Sequence, residues 1–266
     1  MCGIAGFCLT PEDCYTTNQG KLAGEMLLKI EHRGKDATGS AWINTQSKRR
    51  TILKHAMPAH KYIKTVAGHL CQDAQTAILH TRWATQGTPS NRDNNHPIPR
   101  GNIVLTHNGH INNDNDVFKR LSVTRRAQVD SEAAAALIAF TARDHHPSEV
   151  LGSLAGTAAL AWIDSTNHRT LHLARVSHSP LWIGQTRSGS FLYGSTLETL
   201  LAGAWQIDSD LEWTHAAEEG TYFKVVDGKV AEYQKFKQRY SYLPKAKYED
   251  VCLDEKIANL TQRTAI

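Results

Sequence analysis

Short apolar runs separated by turn-forming residues recur along this chain, and they constrain its fold more than any other feature. After residue 156 the runs "TAALAWID", "TLHLARV", "LWIGQ", "SFLYGS", "GTYFKVV" and "KVAEYQ" follow one another, with "DSTNH", "TRSG" and "DGK" between neighbours. Such spacing predicts antiparallel strands joined by short turns. Earlier runs of the same kind are "GIAGFC", "GSAWIN", "RTILK", "TAILHT" and "NIVLTH". Two segments carry a helical period instead. "KLAGEMLLKIEHRG" sets Leu22, Met26, Leu27 and Ile30 on one face and stops at Gly34, while "SEAAAALIAFTAR" starts behind Asp130 at the N-cap position. Strands outnumber helices, so the expected class is α+β, with mostly antiparallel sheets layered between helices.

A chain of 266 residues that is 41% hydrophobic can bury a full core, and no Ser- or Pro-rich linker divides it, so one domain is expected rather than two. The longest apolar-leaning stretch, "VLGSLAGTAALAWI", has 14 residues and is too short for a membrane span. There is no signal-peptide pattern either, and the expected location is cytoplasmic. The five cysteines, Cys2, Cys8, Cys14, Cys71 and Cys252, are odd in number and form no C-x-x-C pair, which argues against a disulfide framework or a zinc ribbon and fits a reducing compartment. The net charge of +4, with both signs interspersed, falls short of a nucleic-acid binder's signature, and no membrane partner is expected. Residues 235–247, "KFKQRYSYLPKAK", hold five Lys or Arg and no acid, the pattern of a solvated basic tail or, less often, a docking strip.

The chemistry begins at Cys2. Removal of Met1 leaves thiol and α-amine on one residue, with reference pKa values of roughly 8.5 and roughly 7.7–8.0, so the amine can act as base for the sulfur near neutrality. A processed start without consequence is the alternative. Other residues also admit two readings. Asn108-Gly109 is a type I′ hairpin signal, although the following "HINNDND" lacks strand alternation. Asp130 suits an N-cap and Arg33 a helix C-terminus. His80 and His107 end apolar runs without acidic or cysteine partners at ligand spacing, so no metal is expected. The glycines match neither a phosphate loop nor a dinucleotide fingerprint, and no G-x-S-x-G occurs; no cofactor is expected.

Five stretches together change the weight of these readings: "MCGIAGF", "EHRGKDATG" at 31–39, "HTRWATQGTPSNRDNNHPI" at 80–98, "LTHNGHINN" at 105–113 and "VDSEA" at 129–133. In this order and with these gaps they resemble the glutaminase domain of the class II glutamine amidotransferases, N-terminal-nucleophile hydrolases such as glucosamine-6-phosphate synthase; weaker echoes reach about residue 230. The resemblance implies a four-layer αββα sandwich over 2–234, with 235–266 as a basic extension. It implies hydrolysis of the glutamine side-chain amide through a Cys2 thioester and delivery of ammonia to a separate synthase partner. By the same resemblance Cys2 is the nucleophile, and Asn108 with the Gly109 N–H forms the oxyanion hole. Arg82 receives the substrate α-carboxylate and Asp130 its α-ammonium. Thr85 and Gln86 line the pocket, Gln86 replacing a histidine of the synthase, and Gly87 supplies the turn behind them. Arg33 orders the N-terminal site beside Trp83, while Asn95 and His96 build the pocket wall, His96 as a structural hydrogen-bonder. Two alternatives remain: a hydrolase of other γ-glutamyl amides, and a non-catalytic scaffold with this fold.

Overall fold

The "GIAGFC" run forms β1 (Gly3–Cys8) in the computed structural model, which describes residues 1–142 and 144–239. Every residue of β1 is buried, which explains its lack of apolar–polar alternation: the strand has cover on both faces. After it come α1 (Pro11–Thr16), α2 (Gln19–Ile30), β2 (Ala37–Asn44), β3 (Arg50–His55), α3 (Ala59–Thr65) and β4 (Ala74–Arg82). The middle of the chain gives β5 (Ile98–Arg100), β6 (Ile103–Ile111), α4 (Asp114–Leu121), α5 (Ser131–Thr141) and α6 (Pro147–Leu151). The rest forms β7 (Gly156–Asp164), β8 (Thr170–Ser177), β9 (Trp182–Thr186), β10 (Phe191–Gly194), α7 (Leu197–Ile207), β11 (Leu211–Ala216), β12 (Thr221–Val226) and β13 (Lys229–Lys235).

The strands form two sheets, ordered β11-β9-β10-β1-β4-β2-β3 and β13-β12-β8-β7-β6-β5. All of these neighbours pair antiparallel. Between the sheets lies one apolar cluster, in which Ile4 of β1, Ile78 of β4 and Ala41 of β2 meet Val104 of β6 and Ala159 and Ala161 of β7. A second cluster joins the outer face of the first sheet to α2 and α7 through Phe7, Leu79, Met26, Leu27, Leu200 and Ala204. A third seats α4, α5 and α6 on the second sheet, with Ala133 to Ala136 packed among Leu105, Leu160 and Trp162. The result is the expected four-layer αββα sandwich. Each fully buried leucine or isoleucine in these layers contributes roughly 1.5–3 kcal/mol relative to exposure.

The strands read from the sequence are present, but helical periodicity marks only two helices where the described residues hold seven. Segment α7 escaped the periodic reading because Leu201 and Trp205 stay exposed on its outer face, at 53% and 82%, and blur the amphipathic stripe. At the far end β13 reaches Lys235, and the next residues remain on the domain: Phe236 N–H donates to Gly220 O (2.7 Å) and Arg239 N–H to Gly152 O (2.6 Å). The remainder of the basic extension, 240–266, lies outside the described residues.

Candidate active site

Cys2 precedes β1, whose register pairs Gly3 with Thr81, so the cysteine sits against the end of β4 where Arg82 and Trp83 leave the strand. Its Sγ–H donates to Trp83 O at 3.6 Å, and Arg33 Nε–H donates to Cys2 O at 2.9 Å. Burial raises the thiol pKa; the Trp83 backbone, the chain's amino terminus and Arg82 oppose the rise, and Asp130 adds to it. Those influences place Arg82 and Asp130 in the electrostatic surroundings of the sulfur. With Met1 attached, the nitrogen of Cys2 is a peptide nitrogen and has no basic lone pair.

The "HRG" turn reaches Cys2 because Gly34 permits it. A Cβ there would lie 2.3 Å from the Arg82 carbonyl carbon and 2.5 Å from Trp83 N, so any side chain would push the turn, and Arg33 with it, off the end of β4. Asp36 locks the same junction, its N–H donating to Arg82 O (3.0 Å) and its Oδ2 accepting from Ala84 N–H (2.7 Å). Nothing in the sequence marked Asp36 for that task.

Arg82 is buried and braces the loop that follows it. Nη1 donates to Asn95 Oδ1 (2.7 Å), and Nη2 to the carbonyls of Gln86 and of Gly87, the latter at 2.8 Å. Asn95 also donates through Nδ2 to Pro89 O (2.7 Å), so the expected scaffolding residue ties both ends of the loop to the guanidinium. Gly87 turns the chain at φ +65°, and Thr85 and Gln86 are exposed. Trp83 is 55% exposed beside Cys2.

Asn108 and Gly109 lie within β6 and pair with Ala159 and Ala158 of β7, so the hairpin reading of "NG" is excluded. Strand alternation puts Asn108 on the same face as Val104, toward the first sheet. Its Nδ2 is buried with no hydrogen-bond partner. Gly109 has φ +142°, and a Cβ there would stand 2.0 Å from Thr157 O, so only glycine keeps this stretch of β6 in place.

Asp130 occupies the N-cap position of α5 without capping it: its backbone is helical, at φ −60° and ψ −29°, and its side chain makes no cap hydrogen bond. The carboxylate turns instead to the end of β6, where Oδ2 accepts from Ile111 N–H at 2.6 Å and lies 3.5 Å from His110 Nδ1. A second correction concerns His96. It makes no protein hydrogen bond; both ring nitrogens are buried without a partner, and the ring stacks on His80 with centroids 4.0 Å apart. Stacking covers one face of the ring and leaves its edge unpaired. His80 in turn donates Nε2–H to His107 O (3.1 Å), and His107 Nδ1 meets Ser131 Oγ (2.9 Å). Burial pushes His80 down to about 3 and lowers His96 and His107 as well, so the three rings are neutral at physiological pH. No group of three His, Cys, Asp or Glu among the described residues is arranged to hold a metal ion. No helix among them is long and apolar enough to cross a membrane.

Comparison with known proteins agrees with this geometry. The family described as glutamine amidotransferase domain matches residues 80–202. Glutamine–fructose-6-phosphate aminotransferase (isomerizing) of Staphylococcus epidermidis is 31% identical over 193 residues, which cover 69% of this chain and 30% of that protein. The chain thus spans about a third of the length of such relatives. Among solved structures, glutamine phosphoribosylpyrophosphate amidotransferase from B. subtilis superposes with a TM-score of 0.69 at 18% identity, over 89% of this chain and 50% of that one. A glutamine aminotransferase class-II domain protein from Silicibacter pomeroyi gives 0.53 at 16% identity, over 88% of this chain and 99% of that one. The two structural likenesses establish the fold, the sequence matches establish the family, and together they identify this chain as a carrier of a class II glutamine amidotransferase domain.

Proposed function

We propose that the protein hydrolyses the side-chain amide of glutamine at Cys2 and passes the ammonia to a synthase partner. The observation that carries this reading is the buried, unpartnered amide nitrogen of Asn108, on the strand whose next residue is Gly109 and whose end holds Asp130 near Cys2. An unsatisfied buried donor costs stability, and it is well suited to an oxygen that becomes negative only during reaction.

Met1 is first removed, which frees the α-amine. That amine, through a water, accepts the thiol proton as Sγ attacks the amide carbon. The carbonyl oxygen takes the negative charge and is held by Asn108 Nδ2–H and Gly109 N–H. As the tetrahedral adduct collapses, the proton passes from the Cys2 ammonium to the leaving nitrogen, ammonia departs and a thioester remains. Water, activated by the same amine, then cleaves the thioester to release glutamate and regenerate the thiol. Asp130 binds the substrate ammonium. Arg82, which already holds the loop at 86–87, presents the rest of its guanidinium fork to the α-carboxylate. Arg33 fixes the carbonyl of Cys2 and hence the direction of its thiol. The receiver of the ammonia in this proposal is a synthase site on a partner polypeptide.

The test is ammonia release from glutamine by the purified protein, with intact mass read on the same sample. Turnover by a species lighter by one methionine, abolished in Cys2→Ala and raised by a candidate synthase, supports the reading. Full activity of Met1-bearing protein overturns the base assignment. Preference for γ-glutamyl peptides overturns the substrate, and inertness toward both substrates overturns the enzyme reading.

A further inference from the structure

His110 sits one residue beyond Gly109, at the mouth of the candidate site. Its backbone is fixed: its N–H donates to Thr157 Oγ1 (3.1 Å), and the strand register pairs it with Thr157. Its ring is 52% exposed, with Nδ1 3.5 Å from Asp130 Oδ2, while the Asp130 side chain is only 10% exposed. That oxygen already accepts from Ile111 N–H, so the carboxylate is held in place beside the ring. We infer that His110 is a positioning residue that gates the ammonium subsite, leaving Asp130 free for a cationic α-amino substrate when the imidazole is neutral and occupying it when the imidazole is charged. This rests on the glutamine reading above and adds a control on affinity to it.

The charged and titratable neighbours favour His110 as the group that changes. His107, three positions earlier on β6, is buried, and that burial disfavours its charged form. Arg82 and Cys2 interact with Asp130 from the first sheet; the guanidinium stays charged, and burial raises the thiol pKa. From β7 the facing residue, Thr157, does not titrate. Imidazole is the side-chain type whose charge is switchable near neutrality, unlike a carboxylate or the ammonium of a free amino acid. When charged, the imidazolium 3.5 Å away pairs with Asp130 and repels the substrate ammonium; when neutral, it does neither. Coupling of this kind runs from about fivefold upward, and an exposed pair belongs at the low end.

KM for glutamine, measured from pH 5.8 to 8.0, is expected to rise about fivefold toward the acid end in the parent and to stay nearly flat in His110→Gln. The change in kcat over this range reflects the Cys2 amine and is shared by both proteins. Because binding linkage is reciprocal, glutamine must also disfavour the charged form of the His110 ring. NMR titration of Cys2→Ala, which does not turn glutamine over, reads that shift and needs no change at 110. Equal pH dependence of KM in parent and His110→Gln overturns the inference, as does a His110 titration that glutamine leaves in place. Absence of ammonia release from the parent at every pH instead overturns the glutamine reading beneath it.

Discussion

Replacing Asn108 by alanine separates a catalytic donor from a structural one, because the structure gives the two roles opposite signatures. The side chain is 3% exposed and its Nδ2 has no partner, so the substitution breaks no hydrogen bond made by that nitrogen. Deleting an unpaired buried amide relieves a desolvation cost of about 1–3 kcal/mol, which offsets the packing lost with a few side-chain atoms. Net stability is therefore expected to change by less than about 1 kcal/mol, or a few degrees in Tm for a domain of this size. In the proposed mechanism the same nitrogen faces a developing oxyanion in the transition state, and loss of one such donor raises the barrier by roughly 2.7–4 kcal/mol, a fall of about 10²–10³ in kcat. Asn108→Asp is expected to fall further, since it sets a negative charge where the oxyanion forms. The assay is steady-state ammonia release with thermal unfolding measured on the same preparations. A kcat loss below about tenfold, or one that tracks the fraction unfolded at the assay temperature, refutes the argument.

Asp130→Asn keeps an oxygen to accept from Ile111 N–H and removes only the charge; with no capping bond to lose, α5 stays intact and Tm moves little, while kcat/KM for glutamine falls roughly 30-fold or more. A large drop in Tm with KM unchanged counts for the capping role instead. Lys54, on β3, is 8% exposed, and burial pushes its pKa down to about 8 against a weaker opposing pull from Asp93. A folded value below the unfolded value of about 10.4 means that the unfolded chain holds the proton more tightly, so stability climbs as pH rises from about 8 to about 10.4 and the burial penalty is fully present at pH 7. Lys54→Met is expected to flatten that climb and to add on the order of 1–3 kcal/mol at pH 7, read by urea unfolding at pH 7 and pH 10.

What the sequence made legible was chemistry carried by residue type. Cys2, Asn108 and Gly109 each have few equivalents for the task proposed, and the apolar runs fixed the strands because their ends are marked by turn residues. What stayed hidden depends on direction. An Asp before a helix is compatible with capping α5 and with reaching across to Ile111 N–H, and only the helical backbone at Asp130 decides between them. The hydrogen-bonding role expected of His96 came from the resemblance of "NNHP" to the family; its stacking on His80 has no sequence signature. Asp36 and the close approach at Gly34 were unreadable for the same reason, since both act on the far end of β4. His110 was quoted in a motif and passed over, its meaning lying in a carboxylate 20 residues away in sequence and 3.5 Å away in space.

The two halves of the site stand on different sheets, and that arrangement explains the buried histidines. Cys2, Arg33 and Arg82 are tied to β1 and β4, whereas Asn108, Gly109 and the Asp130 contact belong to β6. On the proposed mechanism, attack by a sulfur on the first sheet on an amide held by the second requires the inter-sheet distance to be fixed to a fraction of an ångström. The small residues Ala41, Ala159 and Ala161 bring the sheets close, but apolar contact does not set register along the strands. His80 does: its Nε2–H crosses from β4 to the carbonyl of His107, the peptide that leads directly into Asn108. A lysine or arginine there would bring an uncompensated charge into the layer, and its flexible stem would hold the register loosely. A histidine pushed down to about 3 by burial is a rigid neutral donor that keeps its proton pattern throughout the physiological pH range.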